Sequence, residues 1–166
     1  MSGKFWFWPT LILGVAADQA TKILSFSCLG KGRPAQVIPY LMDFACSENR
    51  GGLFGMFQGS APVLAVFSVI AMALILWFLY RAPAKGAWLP VAFGMIGAGA
   101  AGNLIDRIYN DGGVRDFILL HIGSYQWPTF NIADALICIG CGMIIYSTIA
   151  EERAKSKSAA GGKAKN

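Results

Sequence analysis

The stretch APVLAVFSVIAMALILWFLY, residues 61–80, decides the class of fold. It carries no charged side chain, and a helix of about 20 apolar residues is long enough to cross a bilayer. Three further stretches are comparably apolar, at about 5–26, 88–108 and 130–150. The pattern therefore predicts an α-helical membrane protein with four transmembrane helices in a single domain, residues 1–150.

The composition supports a membrane location and argues against nucleic acid as a partner. Of the 166 residues, 55% are hydrophobic and only 14% are charged, which is too apolar for an ordinary soluble domain. The net charge is +5, but many of the basic residues lie in a Ser/Ala/Gly-rich tail at 151–166. This tail is predicted to be disordered and to face an anionic membrane surface from the cytoplasm.

The distribution of Lys and Arg predicts the orientation. Eight basic residues fall at the N-terminus, in the 81–87 turn and in the tail, against four in the connections 27–60 and 109–129. The positive-inside rule then places both termini in the cytoplasm and the two longer connections outside. Residues 36–46 are rich in β-branched and aromatic types, which predicts a small extracytoplasmic β-sheet. The 109–129 connection is expected to form a short loop or helix, in which 114–120 is a short extended or re-entrant piece.

Two aspartates lie at the edges of the last apolar segment. Asp116 stands in VRDFI at 114–118 and Asp134 in FNIAD at 130–134. A carboxylate at membrane depth costs about 2.5 kcal/mol or more, so a chain that has two in one short stretch is expected to use them. Two carboxylates held together share a proton and can act as acid and base. Capping of the last helix is the structural alternative for Asp134, and spacing alone does not bring the two together.

Other polar residues recur at helical spacing inside the apolar segments. Asp18 and Lys22 are four apart, which suits either a structural ion pair or support of a site. In the third segment, a run of small residues at 97–102 precedes a polar cluster on one helix face, formed by Asn103, Asp106 and Arg107. A close helix-packing seam and a functional site both remain open for this cluster.

The four cysteines give only a weak signal. Cys138 and Cys141 form a single CxxC in an apolar segment, and His121 is the only histidine, so buried inert thiols are favoured over a metal or redox site. Cys28 and Cys46 lie in or near the same connection, and a disulfide between them remains open.

Five motifs together resemble the bacterial lipoprotein signal peptidases, also called type II signal peptidases. In chain order they are DQATK at 18–22, NRGGLF at 49–54, GNLIDR at 102–107, VRDFI at 114–118 and FNIAD at 130–134. With the four spans, the resemblance covers about residues 5–150. The chain departs from the family at Arg50 and Gly52, where small residues are usual, and at Arg115, where an apolar residue is usual.

The resemblance implies an aspartyl endopeptidase of the bacterial cytoplasmic (inner) membrane with its active site near the outer face. It would remove the signal peptide from a diacylglyceryl-modified prolipoprotein by cutting before the lipidated cysteine. Asp116 and Asp134 would be the catalytic pair. The substrate-binding or pair-supporting residues would be Asn49, Gly51, Asn103, Arg107, Asn131, Asp18 and Lys22. The expected partners are this substrate and membrane lipid, with no metal, cofactor or obligate protein partner.

A small transporter and a membrane assembly protein are the alternatives, because both also place polar residues within spans. A transport path needs polar groups through the middle of the bilayer, whereas the charged residues here crowd toward one side. An assembly protein would use the small-residue run at 97–102, but it would not need both Asp116 and Asp134.

Overall fold

The computed structural model describes residues 3–30, 34–52, 59–81 and 86–163, with side chains as far as residue 156. After one 3₁₀ turn, the chain forms four long helices: α1 Phe7–Leu29, α2 Ala61–Arg81, α3 Trp88–Tyr109 and α4 Ile132–Lys163. Each is long and apolar enough to cross a membrane. The predicted four-helix architecture is therefore confirmed.

Helix α3 lies at the centre and packs against the other three helices. Its small residues permit close approach on two sides. A Cβ atom at Gly99 would collide with the carbonyl oxygen of Ala133 in α4, and one at Gly102 would collide with the Asp18 carboxylate in α1. The run at 97–102 is thus a packing seam, and it brings the polar residues of α1 and α4 against α3.

A four-stranded antiparallel sheet caps one end of the helices. Its strands are β1 Ala35–Ile38, β2 Met42–Asn49, β3 Val114–Ile122 and β4 Tyr125–Gln126, paired in that order. The predicted strands in 36–46 are confirmed. The 109–129 connection contains β3 and β4 in place of the expected loop or helix, and the short extended piece expected at 114–120 is part of β3. Its β-branched and aromatic residues favour a strand, and Val114 and Phe117 are buried, Phe117 against Phe44 of β2.

The sheet is irregular at Asp116. Phe44 pairs with Ile118 and Ser47 with Asp116, so β2 has one residue more than β3 between these pairs. Such a β-bulge bends a strand and redirects its side chains, and bulges are over-represented beside functional sites.

Helix α4 extends beyond its predicted end. Residues 151–166 are expected to be a disordered tail, but the helix continues to Lys163. Residues 151–155, EERAK, are strong helix formers and favour continuation of the helix past Ala150. The sequence predictions that involve residues 31–33, 53–58, 82–85 and 164–166 lie outside the described residues; they include the end of the second motif and some of the counted basic residues.

All four cysteines are free thiols. The open possibility of a Cys28–Cys46 disulfide is not realised, since the Cys46 thiol donates to the carbonyl oxygen of Ser25 at 3.4 Å. Cys138 and Cys141 are exposed on the surface of α4, so the prediction that they are buried is wrong. Both lie on an apolar part of α4 that the described residues leave exposed.

Candidate active site

A short β-bridge brings Asp116 and Asp134 to the same place. The amide of Phe130 donates to the carbonyl oxygen of Ile118 at 3.0 Å, and the Ile118 amide donates back at 2.9 Å. This bridge holds the residues before α4 against β3, two positions from Asp116. Asn131 follows at once, and its side-chain amide donates to Asp116 Oδ1 at 2.6 Å.

Asp134 lies in the first turn of α4, where it also takes part in capping. Its amide donates to Asn131 Oδ1 at 3.0 Å, while the Asn131 amide donates to Asp134 Oδ2 at 3.2 Å. This reciprocal pair has the geometry of a capping box. The other oxygen of Asp134 accepts from the Asn103 side chain at 2.9 Å. Asp134 therefore takes part in capping α4, which was the structural alternative, and it also contacts Asn103 of the polar cluster on α3.

Both carboxylates line one cavity of about 390 Å³. Its charged and amide side chains are those of Asn49, Asn103, Arg107, Asp116 and Asp134, and the hydroxyl residues Ser68 and Thr129 also line it. Its apolar side comes mainly from α2, α3 and α4, with Leu64, Phe67, Ala71, Ile96, Ala100 and Ile137. The cavity can therefore hold a chain that is polar on one side and apolar on the other.

Arg107 links the cavity to the loop after β2. It donates to the carbonyl oxygens of Gly51 and Asn103, both at 3.3 Å. Asn49 shapes the same loop, because its Oδ1 accepts from the Gly51 amide at 2.9 Å and its Nδ2 donates to the Gly52 carbonyl at 3.1 Å. Within the described residues, Arg107 Nε is buried with no hydrogen-bond partner. Arg107 also lines the cavity, where it interacts electrostatically with Asp116 and Asp134.

Lys22 is the centre of a fully buried set of charges. Its ammonium contacts Asp18 at 2.8 Å, Asp106 at 3.2 Å and Asn103 Oδ1 at 3.1 Å. Three acceptors therefore match the three donors of the ammonium group. Asn103 Oδ1 also accepts from Asn131 at 3.1 Å, so the ion pair is connected to both candidate catalytic residues.

Asp18 joins α1 to the beginning of α4. One of its oxygens binds Lys22, and the other accepts from the Ala133 amide at 2.9 Å. A carboxylate at the first amides of a helix satisfies an unpaired donor and interacts favourably with the helix dipole. Asp18 therefore holds the turn that carries Asp134.

Three contributors to this cluster were not assigned a site role from the sequence: Gln19, Asp106 and Arg115. Asp106 accepts from the amide and the guanidinium of Arg115, at 2.8 and 2.6 Å. Gln19 donates to Asp18 at 3.1 Å and accepts from Arg115 at 3.0 Å. Asp106 was visible as part of a shared helix face, whereas no local signal connects Arg115 with Asp106.

The environment of Asp116 raises its proton affinity. Burial raises the pKa of this carboxyl from its ordinary value of 3.8 to about 7, and the charge of Asp134 acts in the same direction. Hydrogen bonds from Asn131 and Asn49 oppose the rise, because they stabilise the ionised form. A carboxyl with such a pKa can hold a proton near neutral pH.

Comparison with known proteins identifies the family. The model of the signal peptidase (SPase) II family matches residues 10–150. The chain belongs to the signal peptidase II family. It is 38% identical over 141 residues to the lipoprotein signal peptidase of Desulforapulum autotrophicum, covering 81% of this chain and 86% of that one. It is 33% identical over 142 residues to that of Clostridium novyi, covering 85% and 95%.

A solved structure shares the fold of this family member. It is described as a bacterial membrane enzyme, and it matches with a TM-score of 0.84 and 29% identity over 90% of both chains. A second structure with that description gives a TM-score of 0.77 and 30% identity, over 86% of this chain and 91% of the other. The chain is thus a multi-pass membrane peptidase of lipoprotein processing.

Proposed function

We propose that the chain is an aspartic endopeptidase whose catalytic pair is Asp116 and Asp134, called the aspartate pair below. The observation that carries this proposal is that Asn131 joins both carboxylates beside one cavity, through its side chain to Asp116 and its backbone to Asp134. Family membership supports peptide-bond hydrolysis. Two neighbouring carboxyls, one of which keeps a proton near pH 7, supply the acid and the base for that reaction.

The chemistry follows from an unequal pair of carboxyls. The ionised aspartate removes a proton from a water molecule, and the resulting oxygen attacks the scissile carbonyl carbon. The protonated aspartate donates its proton to the carbonyl oxygen, which gives a tetrahedral diol. The aspartate that took the proton from water then transfers it to the leaving nitrogen as the C–N bond breaks. The other aspartate takes a proton from the diol as the new carboxyl group forms, which restores the starting pair. Arg107 lines the same cavity and interacts electrostatically with both carboxylates, so we assign its guanidinium to the substrate backbone or to the developing negative charge.

The proposed substrate is a prolipoprotein whose cysteine carries diacylglycerol, cut on the N-terminal side of that cysteine. The curated relatives are named lipoprotein signal peptidases, which supports this substrate class. The apolar side of the cavity, from α2 and its neighbours, suits a signal helix and acyl chains. The polar side suits an extended backbone at the cleavage point.

The proposed orientation places both termini in the cytoplasm and the aspartate pair near the outer face of the inner membrane. The distribution of Lys and Arg supports it. So does the location of polar residues on two of the helices, since Asn103 lies in the second half of α3 and Asp134 in the first turn of α4, both toward the sheet. Near this surface, water reaches the carboxyls while the lipid anchor stays in the membrane.

The test uses purified protein in lipid nanodiscs with a diacylglyceryl-modified precursor. Asp116→Asn and Asp134→Asn should each abolish release of the signal peptide while the protein still inserts and folds, because one member of the pair can no longer ionise. Asp43→Asn is the matched control, since Asp43 binds His121 on the sheet at 2.9 Å and does not line the cavity.

Three results would contradict the proposal. An active Asp116→Asn or Asp134→Asn variant would remove that residue from catalysis. Cleavage of an unmodified precursor as fast as the lipidated one would remove the lipid from the specificity. Inhibition by a chelator, reversed by added metal, would replace the two-aspartate mechanism.

A further inference from the structure

Arg115 directly precedes Asp116 on β3, and its side chain turns to the opposite side, toward Asp106. Its guanidinium Nη2 contacts Asp106 Oδ1 at 2.6 Å, and its Nε contacts the same oxygen at 3.3 Å. Its amide donates to the other Asp106 oxygen at 2.8 Å. Asp106 therefore accepts hydrogen bonds from both the backbone and the side chain of the residue that precedes Asp116.

We propose that Arg115 is a positioning residue that sets the protonation of the aspartate pair. It does so by completing an electrically neutral set of buried charges that hydrogen bonds connect to the pair. This ion network consists of Asp18, Lys22, Asp106 and Arg115. The inference rests on the proposed function, because it assigns a role toward the two carboxyls that carry it.

The ion network has two negative and two positive members. Asp18, Lys22 and Asp106 have fully buried side chains, and that of Arg115 is 21% exposed. Without the guanidinium, the remaining members of the ion network would carry one net negative charge. In a poorly solvated region, a nearby negative charge disfavours ionisation of a carboxyl and raises its pKa.

A chain of hydrogen bonds connects the ion network to the pair. Asp106 shares Lys22 with Asp18, and the ammonium of Lys22 also binds Asn103 Oδ1. The amide of Asn103 then donates to Asp134. When Arg115 satisfies Asp106, Lys22 remains available to hold the Asn103 amide in the orientation that Asp134 needs.

Other charged groups around this region stay constant in the variants below. Glu48 on β2 lies opposite Arg115 in the strand register. On α3, Arg107 interacts electrostatically with both members of the aspartate pair. On α2, the charged residue is Arg81, at the other end of the helix from the cavity. A shift of the pH profile in these variants can therefore be assigned to the charge removed at Arg115 or Asp106.

The experiment measures the pH dependence of kcat/KM with the diacylglyceryl precursor. Arg115→Met leaves a net negative charge and should move the profile to higher pH by roughly 0.5–1 unit. Asp106→Asn leaves a net positive charge and should move it to lower pH. The double variant restores neutrality, and its profile should return toward the wild-type position even if its rate is lower.

The conservative variant Arg115→Lys separates charge from shape. It keeps the positive charge and should keep the wild-type pH profile, with a reduced kcat because a single ammonium cannot reproduce the two-point contact with Asp106. Thermal unfolding of each variant identifies any that do not fold. If Arg115→Met does not fold, the shift of the Asp106→Asn profile to lower pH and its reversal in the double variant decide the question.

The outcomes for Arg115 and for the proposed function are distinguishable. Asp116→Asn and Asp134→Asn, assayed alongside, test the function by complete loss of cleavage. If these are inactive and the Arg115 and Asp106 variants lose rate with unshifted profiles, the ion network is only structural and the inference is overturned. Shifts of opposite sign that cancel in the double variant support it.

Discussion

The protein contains two very different kinds of ion pair. Lys22 and its partners Asp18 and Asp106 are completely buried between α1 and α3, whereas Arg50 and Asp111 form a contact of 3.3 Å with side chains that are 53% and 91% exposed. Buried charges are costly when a partner is removed, whereas exposed pairs contribute little because water screens them. The comparison indicates which charges the fold and the site depend on.

Removal of Lys22 should have the largest effect. Lys22→Met would leave two buried carboxylates without their shared cation, at a cost of about 3–5 kcal/mol in the free energy of unfolding. Asn103 would also lose the contact that orients it toward Asp134. Unfolding in mixed micelles and precursor cleavage measure the two losses. Wild-type stability in this variant would contradict the importance of burial.

Tightening the buried region without changing its charge should have a smaller effect. A Cβ atom at Gly102 would collide with the Asp18 carboxylate, so Gly102→Ala should cost about 1–3 kcal/mol in stability. It should also reduce cleavage, because Asp18 holds the first turn of α4. Gly142→Ala is the matched control, since a Cβ atom there meets no described atom within 4 Å.

Arg107 is intermediate in exposure between the buried Lys22 and the exposed Arg50, and it borders the cavity. Arg107→Ala should lower kcat/KM by about 10- to 100-fold while the protein stays folded, because substrate and transition state lose one charged donor. Arg50→Ala is the control, because Arg50 precedes Gly51 in the loop that Arg107 contacts but has an exposed side chain. Unchanged kinetics would assign Arg107 to structure, through its contacts with Gly51 and Asn103.

The protonation of the buried pair should be visible in the pH profile. The pKa of Asp116 is raised to about 7, chiefly by burial, so this carboxyl is protonated below that pH and ionised above it. Activity should therefore fall as the pH rises beyond about 7, when the pair loses its shared proton. Steady-state cleavage between pH 5 and 9 measures this, and a constant rate up to pH 9 would contradict it.

The exposed pair should show the smallest effect. Asp111→Asn removes the charged partner of Arg50. We expect the free energy of unfolding to change by about 0.5 kcal/mol or less and the rate of cleavage to stay close to that of the wild type. Any effect should disappear in high salt. A loss as large as that of Lys22→Met would overturn the distinction between the two kinds of ion pair.

Much of the architecture was predictable from local patterns. The four spans follow from runs of apolar residues, and the strands in 36–46 follow from their β-branched and aromatic residues. The helical extension to Lys163 was missed because a basic, Ala-rich tail has strong helix formers but no apolar face to indicate packing. Cys138 and Cys141 were misplaced because apolar neighbours indicate burial in lipid as readily as burial in protein.

The residues of the candidate site were predictable, but their contacts were not. Asp116, Asp134 and their polar neighbours stand out because charges are rare in apolar segments. Their meeting depends on the bridge between Phe130 and Ile118, which is a backbone contact with no side-chain signature. Arg115 is likewise explained only by Asp106, whose side chain reaches β3 from a different element.

The sequence by itself determined the membrane class, the number of helices and the polar residues from which a site can be built, because apolar composition and helical periodicity are local properties. The tertiary structure decided which of those residues meet. It joined Asp116 to Asp134 through Asn131, and it balanced Asp106 with Arg115. These contacts arise from the packing of α1, α3, α4 and β3 at one end of the bundle, where buried charges require partners that only the fold can bring within reach.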